Sequence, residues 1–231
     1  MISLPDDDGW AAIGHCLDDR GFSVIPDLLD PHACEELAHG YASDHFRSTI
    51  AMARHGFGKG EYKYYRYPLP QVIERLRSLL YERLVPIANR WQEWVGSPIR
   101  YPASLESFLE RCRSAGQTRP TPLILQYGPG DYNCLHQDVY GENLFPLQVA
   151  ILLSDTAQFT GGEFVLTEQR PRRQSRVQVV PLQRGDAVIF PVRDRPVQGS
   201  RGFYRAQHRH GVSEVGSGQR HTLGIIFHDA A

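Results

Sequence analysis

The chain of 231 residues has few cysteines, almost no lysine and no long hydrophobic run. No stretch of about 18 uninterrupted apolar residues occurs, which excludes a standard membrane-spanning helix and argues against a membrane partner. The first residues, MISLPDDD, are acidic where a secretory signal would be basic and then hydrophobic. The four cysteines form no C-x-x-C pair, so neither a disulfide framework nor a zinc ribbon is predicted. These absences predict a cytoplasmic protein whose thiols are reduced.

Lysine occurs only at Lys59 and Lys63, so arginine supplies nearly all of the positive charge. The net charge of -1 argues against a generally basic nucleic-acid binder, but the charges are unevenly placed. Residues 1–50 carry ten acidic residues and two arginines, whereas residues 165–209 carry ten arginines and three acidic residues. Such a basic segment could attract an anionic substrate, or its arginines could simply be solvated surface. The sequence leaves both interpretations open.

Apolar residues make up 41% of the chain and charged residues 22%, which is typical of a globular protein. The length is sufficient for one sizeable hydrophobic core, and no repeat or low-complexity linker divides it. We therefore predict a single domain over residues 1–231. Within it, residues 1–120 are predicted to be mainly helical support that includes a lid, and residues 121–231 to form a β-rich core.

Three segments of the N-terminal half carry helix signals. Asp30 followed by Pro31 predicts a helix start, because aspartate caps free N–H groups and proline is tolerated in the first turn. Apolar residues recur every three or four positions over residues 71–96, which predicts an amphipathic helix that Pro86 bends or splits. Residues 104–112 are predicted to form a further short helix.

From residue 122 onward, short apolar and β-branched runs alternate with glycine-containing turns. Regularly spaced short strands predict a sandwich or a barrel. The glycines near Gly216 suit a tight turn, because glycine readily adopts positive φ angles. The predicted strands cover residues 123–127, 147–153, 164–167, 177–180, 187–190 and 223–227.

The tripeptide His136-Gln137-Asp138 is the strongest candidate for a functional site. Residues two apart on a β-strand project from one face, so the imidazole and the carboxylate would point at the same place. His210 supplies a second imidazole. Two histidines and one carboxylate hold Fe(II) on one face of an octahedron and leave positions open for a co-substrate and O2. We therefore predict that His136, Asp138 and His210 are the iron ligands and form the catalytic centre.

Other side chains compete for the ligand positions. Cys134 lies two residues before the first histidine of the motif and is predicted to be a packed core residue rather than a ligand. His208 shares the strand parity of His210 and remains the second choice for the third ligand. His221 is predicted to face the opposite way from the site, and His228 to be a hydrogen-bonded histidine at a strand end.

Arg220 follows His210 by ten residues. If the Gly216 region forms a hairpin turn, His210 lies nearly opposite Thr222, and Arg220 lies on the same face one pleat repeat away. A guanidinium there could pair with the far carboxylate of 2-oxoglutarate when that molecule chelates iron through its 1-carboxylate and 2-keto oxygen. Hydroxyl groups of Thr222 and Tyr127 could add hydrogen bonds. The sequence thus predicts a 2-oxoglutarate site formed by Arg220, Thr222 and Tyr127.

These residues, together with residues 161–164 (GGEF) and residues 181–190, resemble the 2-oxoglutarate and Fe(II)-dependent dioxygenase superfamily. The resemblance covers about half of the chain. It implies an α+β fold in which a double-stranded β-helix, or jelly-roll, core is flanked by N-terminal helices. It also implies Fe(II) as the cofactor and 2-oxoglutarate and O2 as co-substrates. Related halogenases carry a small residue at the position of Asp138. The aspartate at this position therefore implies that the substrate is hydroxylated rather than halogenated.

Residues 60–70, 115–122 and 131–138 resemble, more narrowly, a bacterial oxygenase family described as acting on damaged nucleic acid. This resemblance implies hydroxylation or oxidative demethylation of alkylated nucleic acid. The four tyrosines of residues 62–67 could stack on a base or could belong to a lid packed on the core. Two other functions remain open. One is hydroxylation of proline, a peptide or a small molecule, since the GGEF segment also resembles prolyl hydroxylases. The other is a cupin-like metal-binding sensor, which would not need Arg220.

Overall fold

The chain forms four α-helices and fifteen β-strands in a computed structural model that describes residues 1–231. The helices are α1 (Asp7–Arg20), α2 (Pro31–His39), α3 (Gln71–Trp94) and α4 (Leu105–Ser114). The strands are β1 (Ser23–Ile25), β2 (Phe46–Ala51), β3 (Gly58–Lys59), β4 (Glu61–Tyr65), β5 (Leu123–Tyr127), β6 (Tyr132–His136), β7 (Leu147–Leu152), β8 (Phe159–Gly161), β9 (Phe164–Gln169), β10 (Arg176–Val180), β11 (Ala187–Pro191), β12 (Asp194–Gly199), β13 (Gly202–Val212), β14 (Val215–Gly218) and β15 (Arg220–Ile225).

Two antiparallel sheets position the candidate site. The larger sheet has the strand order β1-β11-β7-β15-β5-β4-β2, and the smaller has the order β10-β9-β13-β6-β3, with β12 paired to β13. Apolar side chains of β7 and β11 pack against those of β9 between the sheets. The observed fold is therefore α+β, as the family resemblance implies, with strands close to all six predicted positions.

Strand alternation gives the larger sheet two different faces. Ile124, Ile151, Ile189 and Leu223 point away from the smaller sheet and pack with side chains of all four helices in one core cluster. The side chains between them along the strands point inward and line a cavity between the sheets. The helices therefore support the sheet from outside, and the inner face is free to carry chemistry.

The predicted helices are present, with one difference. Asp30 caps α2 by accepting a 2.8 Å hydrogen bond from the N–H of Ala33, with Pro31 in the first turn. Of the two effects predicted for Pro86, a bend or a split, the split is wrong, because α3 is continuous through this residue. Eleven side chains of α3 are buried, and this packing compensates for the backbone hydrogen bond that proline cannot donate. No helix combines the length and the apolar composition needed to cross a lipid bilayer.

The predicted hairpin around Gly216 is wrong. β13 belongs to the smaller sheet and β15 to the larger, so the two strands do not pair. The intervening segment forms β14, which pairs with β8 in a separate small sheet. His210 and Thr222 consequently face each other across the space between the sheets and line the same cavity.

All four cysteines are free thiols, and Cys34 and Cys112 are buried. Cys134 is exposed, so its predicted place in the packed core is wrong. It lies on β6, whose outer neighbour β3 has only two residues and leaves most of the strand edge uncovered. Cys134 is also absent from the cluster of candidate metal ligands.

Candidate metal and co-substrate site

His136, Asp138 and His210 lie together at the cavity between the sheets, with their candidate ligand atoms all within 4.8 Å of one another. His136, the last residue of β6, pairs directly with His210 of β13, and Asp138 follows two residues after the strand. The Nε2 atom of His210 lies 3.2 Å from Oδ2 of Asp138, and that of His136 lies 3.6 Å from Oδ1. Ligand atoms at right angles about 2.1 Å from one ion lie about 3 Å apart. The three side chains therefore fit one divalent ion.

The two imidazoles are oriented in different ways. His136 Nδ1 lies 2.8 Å from the carbonyl oxygen of Cys134, so Nδ1–H donates there and Nε2 keeps a free lone pair for a metal. His210 is buried, and its ring centroid lies 4.7 Å from that of Phe190 and 6.1 Å from that of Phe164. Burial lowers the pKa of His210, which favours the neutral form that can ligate a metal.

The buried carboxyl group of Asp138 is kept ionised by the groups around it. Burial by itself would raise the pKa of this carboxyl group. The hydrogen bond from His210, the electrostatic effect of both nearby imidazoles and the hydroxyl of Tyr140 outweigh burial and hold the pKa of Asp138 below its ordinary value. Asp138 is therefore a carboxylate at neutral pH, as a hard divalent cation prefers.

Two tyrosines support Asp138 from outside the cluster and were not predicted from the sequence. The Tyr140 hydroxyl donates a 2.7 Å hydrogen bond to Oδ1 of Asp138, and the Tyr64 hydroxyl donates to that of Tyr140 at 2.9 Å. Tyr140 follows Asp138 by two residues, and this spacing was the available signal. Since Oδ1 is occupied by Tyr140, the geometry leaves Oδ2 as the freer oxygen for a metal.

We expect Tyr140→Phe to weaken Fe(II) binding by about 10- to 100-fold, because groups that hydrogen-bond to a metal ligand orient it and tune its basicity. An anaerobic Fe(II) titration of the purified protein measures this change. Tyr132→Phe is the matched control, since Tyr132 is 40% exposed and lies outside the cavity lining. Equal Fe(II) dissociation constants for Tyr140→Phe and the wild type would contradict the prediction.

Arg220 is a buried cation without an acidic partner. It is 1% exposed, the only hydrogen bond of its side chain is donated from Nη1 to the Thr222 hydroxyl, and its Nε has no partner. The guanidinium lies 5.7 Å from the ring centroid of Tyr127, whose buried hydroxyl is also unpartnered. Burial lowers the pKa of Arg220 to about 10, so the group is still charged at neutral pH. An unpaired buried charge is costly, which indicates a site for an anionic ligand.

The cavity has a volume of about 200 Å³ and brings the predicted groups together. The three candidate iron ligands, Thr222 and Tyr127 line it directly. Arg220 is not a lining residue but contacts the lining, because its side chain is hydrogen-bonded to Thr222 and it pairs in register with Tyr127. One further group was not predicted. Gln148 lines the cavity with its buried Nε2 unpartnered, and its signal was a polar residue inside the otherwise apolar β7.

The competing histidines lie elsewhere. His208 is fully buried 3.3 Å from Glu168 and is absent from the ligand cluster, so the second choice for the third ligand is wrong. His221 lines a separate cavity beside α2, which agrees with its predicted orientation away from the site. His228 is buried in a bend after β15, where its Nδ1 accepts a hydrogen bond from the N–H of Phe145 and its Nε2 has no partner, so the prediction of a fully hydrogen-bonded histidine at a strand end holds only in part.

Comparison with known proteins identifies the class of enzyme. A family model, Oxygenase-NA, described as an oxygenase catalysing oxidative methylation of damaged DNA, matches residues 60–230. Two uncharacterized proteins of Mycobacterium tuberculosis strains, MT2286 and Rv2227, are each 53% identical over 165 residues, which is 71% of this chain and 71% of each relative.

Solved structures share the fold at low sequence identity. A 2OG-Fe(II) oxygenase family oxidoreductase from Burkholderia pseudomallei superposes with a TM-score of 0.56 at 17% identity, covering 100% of this chain and 97% of that chain. A Pseudomonas putida prolyl-4-hydroxylase superposes with a TM-score of 0.55 at 15% identity, covering 93% and 96%. A Trichoplax adhaerens prolyl hydroxylase, solved with a hypoxia inducible factor peptide, has a TM-score of 0.54 at 15% identity, covering 96% and 90%.

The family match spans well over half of the chain and agrees with the cluster of two histidines and one aspartate. It identifies an oxygenase, so the hypothesis of a metal-binding sensor without turnover is not supported. The chain belongs to the Oxygenase-NA family of oxygenases and shares its fold with solved 2OG-Fe(II) oxygenases.

Proposed function

We propose that this oxygenase hydroxylates a C–H bond of an alkylated base in nucleic acid. The observation that carries the proposal is the aromatic wall of the metal cavity, where Tyr62, Tyr64 and Tyr140 line the space beside Asp138. Flat bases stack on such rings, and their exposed edges can then reach a reactive centre. The description of the family, which refers to damaged DNA, supports the same class of substrate.

In the proposed architecture, residues 1–231 form one domain around a double-stranded β-helix. Strands β5, β15, β7 and β11 would supply one sheet of the β-helix, and β6, β13, β9 and β10 the other. The chain passes between these two sheets repeatedly, as a jelly roll requires. β2 and β4 extend the larger sheet beyond β5, so the N-terminal half contributes strands as well as helices.

Each predicted site residue has a role in this proposal. His136 and His210 bind iron through Nε2 and Asp138 through Oδ2, and Arg220 pairs with the far carboxylate of 2-oxoglutarate. The hydroxyl groups of Thr222 and Tyr127 donate hydrogen bonds to the same molecule. When bound, Fe(II) supplies oxidation of the substrate by O2 coupled to decarboxylation of 2-oxoglutarate.

Two phenylalanines that line the cavity exclude water from the site of the reaction. The buried rings of Phe164 and Phe190 line the cavity beside His210 and exclude solvent from it. If the hydroxylated carbon is an N-methyl group, its C–N bond breaks and formaldehyde leaves. The outcome is then demethylation of the base.

Succinate and formaldehyde release with different substrates tests the proposal. We expect both products from a single-stranded oligonucleotide with a methylated base, and neither above background from the unmethylated oligonucleotide. Proline-rich peptides and small metabolites are the comparison substrates, because two of the similar solved structures are prolyl hydroxylases. Turnover with a peptide alone would favour the prolyl or peptide hydroxylase hypothesis instead.

Variants of the aromatic wall sharpen this test. We expect Tyr62→Leu to raise the KM for the methylated oligonucleotide about 10-fold, which is within the ~1–3 kcal/mol that base stacking contributes. Its matched control is Tyr132→Leu, at an exposed tyrosine outside the cavity. Equal KM values for the two variants would count against stacking in the cavity.

A further inference from the structure

A second cavity, of about 570 Å³, lies beside the loop that carries Asp138. We call it the arginine groove. Its lining includes four guanidinium groups and two carboxylates, so the groove has an excess of positive charge. The charged residues are Arg100, Arg111, Arg193, Arg205, Glu142 and Asp194.

The carboxylates do not neutralise the whole groove. Asp194 accepts hydrogen bonds from both Arg193, at 3.0 Å, and Arg205, at 2.8 Å, so one negative charge serves two positive ones. Arg100 and Arg111 donate only to backbone carbonyl groups. All four arginines are exposed and can therefore rearrange toward an anion.

The arginine groove adjoins the metal cavity. Gln137 lines the metal cavity and donates a 3.0 Å hydrogen bond from Nε2 to the carbonyl oxygen of Arg193 in the groove. Tyr140 lines the metal cavity, and Asn143, three residues later, lines the groove. Gln117 holds this loop by donating from Nε2 to the carbonyl oxygens of Tyr140 and Asn143. The loop is thus a fixed wall shared by the two cavities.

We propose that the arginine groove binds the phosphate backbone of a single-stranded nucleic acid whose modified base enters the metal cavity. The substrate class in this inference rests on the proposed function. Arg205 precedes His210 by five residues on β13, which is about 17 Å at ~3.4 Å per residue. An extended strand of a few nucleotides spans that distance, so one polymer can occupy both cavities.

The hairpin between β9 and β10 is the rival basic surface. Arg172 and Arg173 are exposed at its tip, whereas Arg170 is paired with Glu168. The tip lies at the same end of the smaller sheet as Arg205, since Gln169 of β9 pairs with Gln207 of β13, but neither Arg172 nor Arg173 lines the metal cavity or the groove that adjoins it. A concave surface that shares a wall with the metal cavity fits a substrate backbone better.

The salt dependence of oligonucleotide binding tests the inference by a binding measurement that does not require enzymatic turnover. A fluorescein-labelled oligothymidylate of about 12 nucleotides, without a methylated base, is titrated with the full chain and followed by anisotropy. Each phosphate contact contributes about -0.7 to the slope of log K against log salt for a single strand. We expect a slope near -2.8 for the wild type and about -1.4 for the Arg111→Gln/Arg205→Gln variant, with at least a ~10-fold weaker affinity.

A matched pair of substitutions controls for net charge. Arg113→Gln/Arg173→Gln removes the same charge from exposed positions on α4 and on the rival hairpin, and we expect it to keep the wild-type slope. Arg111→Lys/Arg205→Lys retains the positive charge and should restore most of the slope, which separates loss of charge from misfolding. An unchanged slope in the groove variant, or an equal loss in the control pair, would overturn the proposal.

Failure of this inference is distinguishable from failure of the proposed function. Oligonucleotide binding through the arginine groove, with no turnover of any methylated base, would retain the groove and reject the reaction. Turnover of a methylated oligonucleotide with a groove variant whose KM and salt slope match the wild type would retain the reaction and reject the groove.

Discussion

The Asp138→Ala variant is expected to lose oxygenase turnover by about 10³-fold, corresponding to ~4 kcal/mol of the several kcal/mol that a catalytic metal supplies. Asp138 is the only anionic member of the cluster, and its removal leaves two neutral imidazoles to hold a dication. Fe(II) affinity should fall together with turnover. Succinate formation at saturating 2-oxoglutarate and an anaerobic Fe(II) titration measure the two effects separately.

Asp44→Ala is a suitable control for this change, because the Asp44 side chain is 87% exposed and forms only a surface ion pair with Arg66. We expect this control to bind Fe(II) and turn over like the wild type. A thermal melt verifies that Asp138→Ala is folded, so that lost activity is not lost structure. Normal Fe(II) affinity in folded Asp138→Ala would show that this carboxylate is not a ligand.

The Arg220→Ala variant should raise the KM for 2-oxoglutarate by about 10²-fold, or ~3 kcal/mol, with little change in Fe(II) affinity. Removing one partner of a buried, hydrogen-bonded charge pair costs about 2–5 kcal/mol. Arg220 is the candidate partner of the far carboxylate, and no acidic side chain of the protein takes that place in the structure. Steady-state kinetics with varied 2-oxoglutarate measure the change.

Two further variants test whether the change in KM is specific to the guanidinium of Arg220. Arg220→Lys keeps the positive charge but lacks the planar guanidinium that donates to both oxygens of a carboxylate. Its KM for 2-oxoglutarate is therefore expected to lie between those of the wild type and Arg220→Ala. Arg201→Ala removes an exposed arginine from the turn before β13 and should leave the KM unchanged. If Arg220→Ala bound 2-oxoglutarate as the wild type does, the role of the buried guanidinium would have to be reassigned.

The residues of the candidate site could be found from the sequence because each has a chemically unusual identity and position. A histidine and an aspartate two residues apart, a distant histidine and an arginine ten residues later do not arise from core packing alone. The strand pairing that brings these residues together could not be predicted from the sequence. β15 pairs with β5 and β7, which are remote in the chain, and nothing near Gly216 encodes those partners.

The supporting residues were missed for a different reason. Tyr64 belongs to the tyrosine segment to which the sequence assigns a stacking or lid role, and only the fold brings its hydroxyl group and that of Tyr140 into a chain that ends at Asp138. β2 was also missed, because its side chains are almost uniformly half-buried and show no alternation between apolar and polar positions. Its place at the edge of the larger sheet explains that pattern.

The two imidazoles of the cluster are held by different forces, and this difference predicts which remote changes reach the iron. The imidazole of His136 is oriented by a hydrogen bond from its Nδ1–H to the backbone carbonyl oxygen of Cys134 in the same strand. That of His210 depends on the volumes of Phe164 and Phe190, because its Nδ1 has no partner to restrain rotation. Trimming either phenylalanine would therefore loosen one side of the coordination sphere without removing any donor atom, and a defect in iron binding could originate in the hydrophobic interior.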